Sequence, residues 1–277
     1  MAGIQIVTDS ASDLTPKIAA QYGIRIVPLS VTLGGEHYTD GVDLTAEEFY
    51  QTLRTMDVLP RTSQPAPGSF VDVYREALDA GKQVLSIHIS SKLSGTYQAA
   101  CLAAEMLGSG DIKIIDSESA SMGVGLLAIA AARKSASLTE AQEAVARAKE
   151  TMGVLFTPDT FEYMVKNGRI GKAASLAGSL LQIKPILTIA GGTVDVVEKL
   201  RGRKRALRRM LEIFRERVGD NKVHVAVLHA DAEEEARGML EEIQQAVDCA
   251  EVYFAYVGPV IGSHAGPGVL GLVWHLA

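Results

Sequence analysis

Three times in the first half of the chain, a short apolar run rich in β-branched residues breaks off into a polar turn and resumes as a helix. Residues 4–7 (IQIV) end at Asp9-Ser10, and Thr15-Pro16 then opens a helix, with a capping hydroxyl followed by proline in the first turn. Residues 84–89 run into Ser90-Ser91-Lys92-Leu93-Ser94-Gly95 and a helix over 96–107. Residues 112–115 run into Asp116-Ser117 and an alanine-rich helix from about Met122. Helices also fit 70–80, stopped by Gly81, and 139–151. Strands that are apolar throughout and alternate with helices predict a parallel sheet covered on both faces. Ligands of such sheets collect at the carboxyl ends of the strands. Here those ends carry DSASD, SSKLSG and DSESAS, a concentration of hydroxyls that suits either a binding site or ordinary helix capping.

After Gly153 the pattern changes. Residues 183–190 and 193–200 flank Gly191-Gly192, which predicts a hairpin with a two-residue turn. An amphipathic helix follows, with Leu207, Met210, Leu211, Phe214 and Val218 on one face, and it stops before Gly219. Strand 223–228, helix 232–247, strand 251–257 and strand 268–274 complete the chain. The expectation is an α/β protein in two domains. Residues 1–153 form an α/β/α domain with a mainly parallel sheet, and residues 154–277 form an α+β domain with a mixed sheet.

Several function classes are disfavoured. Gly123–Ala128 and Gly266–Gly271 both match a dinucleotide-binding glycine pattern. In the first, the strand ends too early; in the second, too few residues follow to form the helix that would receive a pyrophosphate. No GxxxxGK[ST] loop occurs. The six histidines show no metal-binding spacing, His229-Ala230-Asp231 alone being weak, so no metal or cofactor is expected. Cys101 and Cys249 are far apart in apolar contexts and read as buried thiols of a reducing compartment. The N-terminal residues lack a basic targeting region, and the apolar run 122–132 falls well short of the roughly 20 residues a membrane span needs. A cytoplasmic monomer is expected. Ser94 on a strand-to-helix turn and His264 on a glycine-rich loop leave a serine hydrolase of lipid esters as the enzymatic alternative, although no GxSxG elbow is present.

Lys199, Arg201, Arg203, Lys204, Arg205, Arg208 and Arg209 form a basic cluster with no acid among them. It reads as a solvated helix face, a nucleic-acid contact or a docking patch for an acidic partner. Nucleic acid is disfavoured by the formal net charge of −6 and by the lack of interleaved aromatics.

The segments IVTDSASDL (6–14), RTSQP (61–65), SSKLSGTY (90–97), Asp116-Ser117, NGRI (167–170) and GSHAGPG (262–268) together resemble the DegV family, in family order from end to end of the chain. The resemblance implies the DegV fold and a buried long-chain fatty acid. It also implies the role of a non-enzymatic binding subunit of a fatty acid kinase, whose ATP-dependent partner phosphorylates the bound carboxylate. By position, Thr62 and Ser94 match the hydroxyls that bind the carboxylate, His264 the histidine beside it, and Arg169 the arginine close to the same site. The stretch from Lys199 to Arg205 resembles the segment that faces the kinase, with Arg201 and Arg203 both equivalents for its docking residue. The chemistry is self-consistent. Each buried methylene contributes about 0.8 kcal/mol, whereas a carboxylate resists burial unless its oxygens find donors, which clustered hydroxyls supply.

Overall fold

The computed structural model describes residues 3–55, 59–176 and 183–277. β1 (Ile4–Asp9) leads through a short 3-10 turn into α1 (Pro16–Tyr22), whose first turn is closed by the Thr15 hydroxyl accepting the Ile18 N–H. β2 (Arg25–Val27) follows. Next come β3 (Ser30–Leu33), β4 (Glu36–Thr39), α2 (Ala46–Thr55) and β5 (Arg61–Ser63), then α3 (Pro67–Asp79), β6 (Gln83–His88), α4 (Thr96–Leu107), β7 (Ile112–Asp116), α5 (Met122–Arg133) and α6 (Leu138–Thr151). The first sheet has the order β2-β1-β6-β7 and is parallel throughout. β4, β3 and β5 form a separate small antiparallel sheet. Sequence patterning does not predict this sheet, because strands of three or four residues are too short to show a period; α2 is likewise absent from the sequence reading, although Phe49, Tyr50 and Leu53 form its buried face.

β8 (Gly153–Thr157) opens the second sheet. It is followed by α7 (Glu162–Lys166), β9 (Ile183–Ala190), β10 (Thr193–Arg201), α8 (Arg203–Val218), β11 (Val223–His229), α9 (Glu233–Ala246), β12 (Cys249–Tyr256), α10 (Pro259–Ala265) and β13 (Leu270–Leu276). The sheet order is β10-β9-β8-β13-β11-β12. It is mixed, with only β11 and β12 parallel. Gly191 and Gly192 lie at φ 55° and 80°, the left-handed pair that a two-residue hairpin turn requires.

α5 explains how the two sheets are joined. Met122, Val124, Leu126, Leu127 and Ile129 are all buried, so the helix is apolar on every side, and such a helix belongs in an interior. It packs against β1 and β6 on one side and against β11 and β13 on the other. A single buried cluster therefore runs from Ile6, Leu85 and Ile87 of the first sheet to Ala226, Leu228 and Val273 of the second. The opposite face of the second sheet is covered by α8 and α9 around Phe214, Ile243 and Trp274. Polar contacts reinforce the junction. The Ser90 hydroxyl and the Lys92 ammonium donate to the carbonyls of Gly192 and Gly191, at 2.8 and 2.7 Å, and so seat the tip of the β9–β10 hairpin on the first half of the chain.

Candidate ligand-binding site

Thr62, Ser94, Arg169 and His264 come from four separate segments, and all four line one cavity of about 360 Å³. That size lies within the range of small-molecule sites. Thr62 stands on β5, Ser94 two residues before α4, Arg169 in the turn after α7, and His264 in the last turn of α10. Apart from these four and Ser63, Gln64 and Ser121, the wall is apolar and includes Leu29, Ile89, Val154, Phe156, Leu228 and Val273. Polar groups thus gather at one end of a hydrocarbon-lined space.

The segments are fixed to one another by residues that the sequence reading did not single out. Asn167 donates to the carbonyls of Ser263 (2.7 Å) and Pro60 (3.3 Å), joining the Arg169 turn to α10 and to the approach to β5. Asp13 and Asp40 hold the start of α10 by accepting the N–H groups of Gly258 (2.9 Å) and Val260. Burial pushes their carboxyls up, to about 8 for Asp13 and about 7 for Asp40, against the opposing pull of these hydrogen bonds. Asp13 also takes the hydroxyl of Ser121, another cavity residue. Gln64 lies at the polar end. A Cβ on Gly95 would sit 1.9 Å from the Gln64 side-chain oxygen, so only glycine allows this close approach. The RTSQP, NGRI and IVTDSASDL segments contain Gln64, Asn167 and Asp13; nothing local signalled Asp40, and the burial of both carboxyls is a tertiary fact.

Thr62 Oγ1 and His264 Nε2 are 2.8 Å apart, whereas His264 Nδ1 is buried with no partner among the described residues. The tautomer protonated at Nε2 avoids a buried, unpaired N–H. In that tautomer Thr62 accepts from the imidazole and its own proton is free to point into the cavity. Burial, and secondly the charge of Arg169, pushes His264 down to about 4, so the ring is neutral at physiological pH. Ser94 Oγ accepts from the Thr96 N–H (3.3 Å) and lies 2.8 Å from the buried Thr96 hydroxyl. With Thr96 as donor, the Ser94 proton is likewise available. Ser94 and Gly95 stand just before the amino end of α4, whose dipole favours an anion. Arg169, exposed at the rim, donates to the carbonyls of Leu93 (3.3 Å) and Asn167 (2.8 Å). Two hydroxyl donors, one of them oriented by a neutral imidazole, and one guanidinium can hold a carboxylate at the end of an apolar chain.

The hydrolase alternative finds no support in this arrangement. His264 Nε2 is engaged by Thr62, and the Ser94 hydroxyl by Thr96. A Ser–His–Asp string does exist elsewhere. Ser86 Oγ lies 2.6 Å from His88 Nε2, and His88 Nδ1 lies 2.9 Å from Asp9 Oδ2. All three are fully buried in the first sheet, and Ser86 also accepts from Tyr74. None of them lines the cavity.

The basic cluster divides in two. Arg203 pairs with Glu235 (2.7 Å), Arg209 with Glu198 (2.9 Å) and Glu216 (2.9 Å), and Arg208 with Glu212 (3.8 Å). Among the described residues, Lys199, Arg201, Lys204 and Arg205 are exposed and make no ion pair. Of the two arginines matched to the docking segment, Arg201 is therefore unpaired on the surface and Arg203 is held by the chain's own acid.

The family described as "Uncharacterised protein, DegV family" matches residues 3–276. The chain belongs to the DegV family. A DegV domain-containing protein of Deinococcus radiodurans is 38% identical, over 97% of each chain. Among solved structures, a DegV family protein from Thermus thermophilus, described by its fatty acid binding, superposes with a TM-score of 0.94 at 36% identity, covering 99% of this chain and 100% of that one. A stearic acid-binding protein from Eubacterium ventriosum superposes with a TM-score of 0.90 at 29% identity, covering 100% of this chain and 98% of that one. The DegV fold expected from the sequence motifs is thus the fold observed.

Proposed function

We propose that this DegV protein binds one long-chain fatty acid, with the carboxylate at Thr62, Ser94, Arg169 and His264 and the hydrocarbon chain in the apolar part of the cavity. The observation that carries this reading is the one-ended polarity of the cavity, with spare hydroxyl donors at one end and aliphatic walls beyond them. The fatty acid binding described for the Thermus thermophilus and Eubacterium ventriosum proteins supports it. Organic extraction of the purified protein followed by mass spectrometry should yield fatty acid near one per chain. Protein that extracts clean, and then takes up no added fatty acid, would sink the reading.

The further step is delivery. The bound carboxylate is presented to an ATP-dependent kinase that converts it to an acyl phosphate, and this chain serves as the lipid-binding subunit rather than the enzyme. The Thr62 and Ser94 hydroxyls favour that use, because they solvate the carboxylate with neutral donors, and Arg169 stands at the exposed rim, where solvent weakens its pull on the carboxylate. The exposed cations Lys199, Arg201, Lys204 and Arg205 offer an acidic partner a surface. Acyl phosphate formation by a cognate kinase, dependent on the loaded protein and slowed by salt, is the expected result. Equal turnover of free fatty acid would remove the presenting role.

A further inference from the structure

The cavity face of the second sheet has a gap in its side chains. Successive residues of a strand point to opposite faces. Val269, Gly271 and Val273 line the cavity, whereas Leu270, Leu272 and Trp274 belong to the cluster beneath α8 and α9. Across the sheet, Gly271 pairs with Phe156 of β8 and Leu228 of β11, both of which also line the cavity. This row has side chains at its two ends and none at its middle. One row further along, Val154, Val273 and Ala226 are paired, and the middle is filled again.

Neither backbone nor packing demands the glycine. Its φ lies outside the left-handed region, and the atoms nearest a Cβ there would be Leu228 Cδ1 at 3.3 Å, the mobile end of a side chain that would give by a few tenths of an ångström, Leu228 Cβ at 3.5 Å and Phe156 Cβ at 3.7 Å. No backbone atom is among these contacts. Glycine inside a strand weakens it, and often marks a place where another molecule comes close. What the missing side chain leaves is room, and that room is part of the cavity.

We infer that Gly271 determines which hydrocarbon chains the cavity accepts, an inference that rests on the fatty acid reading above. β13 runs away from α10 and the polar end. At about 3.3 Å per residue, Gly271 lies roughly 7 Å beyond Val269, and Val273 as far again. The notch between Phe156 and Leu228 is the passage from the carboxylate donors to the space beside Val154 and Val273. A side chain at position 271 closes that passage without touching Thr62, Ser94, Arg169 or His264. The substrate class is therefore a monocarboxylate long enough to pass the notch.

The test is titration of delipidated wild type, Gly271→Ala and Gly271→Val with decanoate and with hexadecanoate. Gly271→Val should weaken hexadecanoate by about tenfold or more, the scale of overpacking a filled site, and Gly271→Ala by a smaller factor. Decanoate should change by no more than about twofold. Equal weakening of both acids, or of neither, overturns the inference. If Gly271→Val does not fold, the ratio in Gly271→Ala decides. Failure of Gly271→Ala to fold also overturns it, because the strand itself would then require glycine. A wild-type protein that binds neither acid defeats the fatty acid reading. A wild type that binds both, with the ratio unmoved in the variants, defeats only the role of Gly271.

Discussion

The core of the first sheet and the polar end of the cavity hold nearly the same groups, a hydroxyl against an imidazole, and use them in opposite ways. Around His88 the string is closed: Tyr74 donates to Ser86, both nitrogens of His88 have partners, and Asp9 also accepts the N–H groups of Ala11 (3.0 Å) and Ile89 (3.1 Å). Around His264 it is open: one imidazole nitrogen is unpartnered, and with His264 and Thr96 as the donors the Thr62 and Ser94 hydroxyls each retain a proton that the protein does not need. A completed network in low dielectric rigidifies a core. An incomplete one at the wall of a cavity is capacity reserved for a ligand. A hydroxyl–imidazole contact is therefore no mark of a site by itself; the unused donor beside empty space is.

The largest expected effect comes from breaking the closed string. Asp9→Ala strands the N–H groups of Ala11 and Ile89 and one nitrogen of His88 in a fully buried place. Removing one partner from such a network costs about 3–5 kcal/mol. For a chain of this size that lowers the melting temperature by roughly 10 °C. Fatty acid affinity, measured well below that transition, should change little. A large loss of affinity with an unchanged melting temperature would mean that the string is functional.

The open end should answer in the reverse sense. On the proposed reading, Thr62→Ala and Ser94→Ala each remove one donor to the carboxylate, a loss of about 1–3 kcal/mol, so fatty acid binding should weaken roughly tenfold or more in each. The melting temperature of lipid-free protein should barely move. The double variant should be non-additive, because both donors serve one group. The corresponding fatty alcohol should be far less sensitive. Wild-type affinity in both variants would place the carboxylate elsewhere.

The closed and open networks also differ in how legible they were. Both sheets could be read because β1, β6, β7, β11 and β13 are apolar runs bounded by polar turns, and Gly191-Gly192 has one structural use. The β3–β5 sheet could not, its strands being too short to carry a period. Thr62, Ser94, Arg169 and His264 were found through the family motifs and not through spacing, since 202 residues separate Thr62 from its partner His264. Gly271 figures in the sequence only as the last glycine of a nucleotide-type pattern, and it gains meaning from Phe156 and Leu228 on either side of it. Pairing of Arg203 with Glu235 joins two helices, so no local pattern could have distinguished it from Arg201.

Charge gives a smaller contrast between the α10 anchor and the histidines. Asp13 and Asp40, raised to about 8 and about 7, hold protons that the unfolded chain releases above its ordinary carboxyl range. Their contribution is complete below the ordinary carboxyl range and is lost as pH rises from about 4 through 7 to 8. His224 and His264, both pushed down to about 4, work the other way. The unfolded chain takes their protons first, so stability is lost as pH falls from about 6.5 toward 4. Burial pushes His229 and His275 in the same direction, which adds to the loss on the acid side. Melting temperature against pH should therefore peak near about 6.5. Asp13→Asn keeps an acceptor for the Gly258 N–H and should flatten the alkaline limb. An unaltered limb in that variant would show that the buried carboxyls do not set it.

The smallest expected effect on lipid binding belongs to Arg201, and the smallness is the point. Arg201 is exposed at the end of β10, makes no ion pair among the described residues and does not line the cavity. Exposed charges outside a site act on a ligand only through a screened field, worth little beyond about 10 Å at ordinary ionic strength. Arg201→Glu should therefore leave fatty acid affinity within about twofold. Arg203→Glu places an acid against Glu235 at the start of α8, so its effect should appear first as a lower melting temperature. If the exposed cations receive an acidic kinase, Arg201→Glu should slow acyl phosphate formation at low salt and lose that deficit as salt is added, because the wild-type advantage is electrostatic. A deficit that salt does not erase would assign Arg201 a shape-specific contact, and no deficit at all would leave the cluster as the solvated face of a helix.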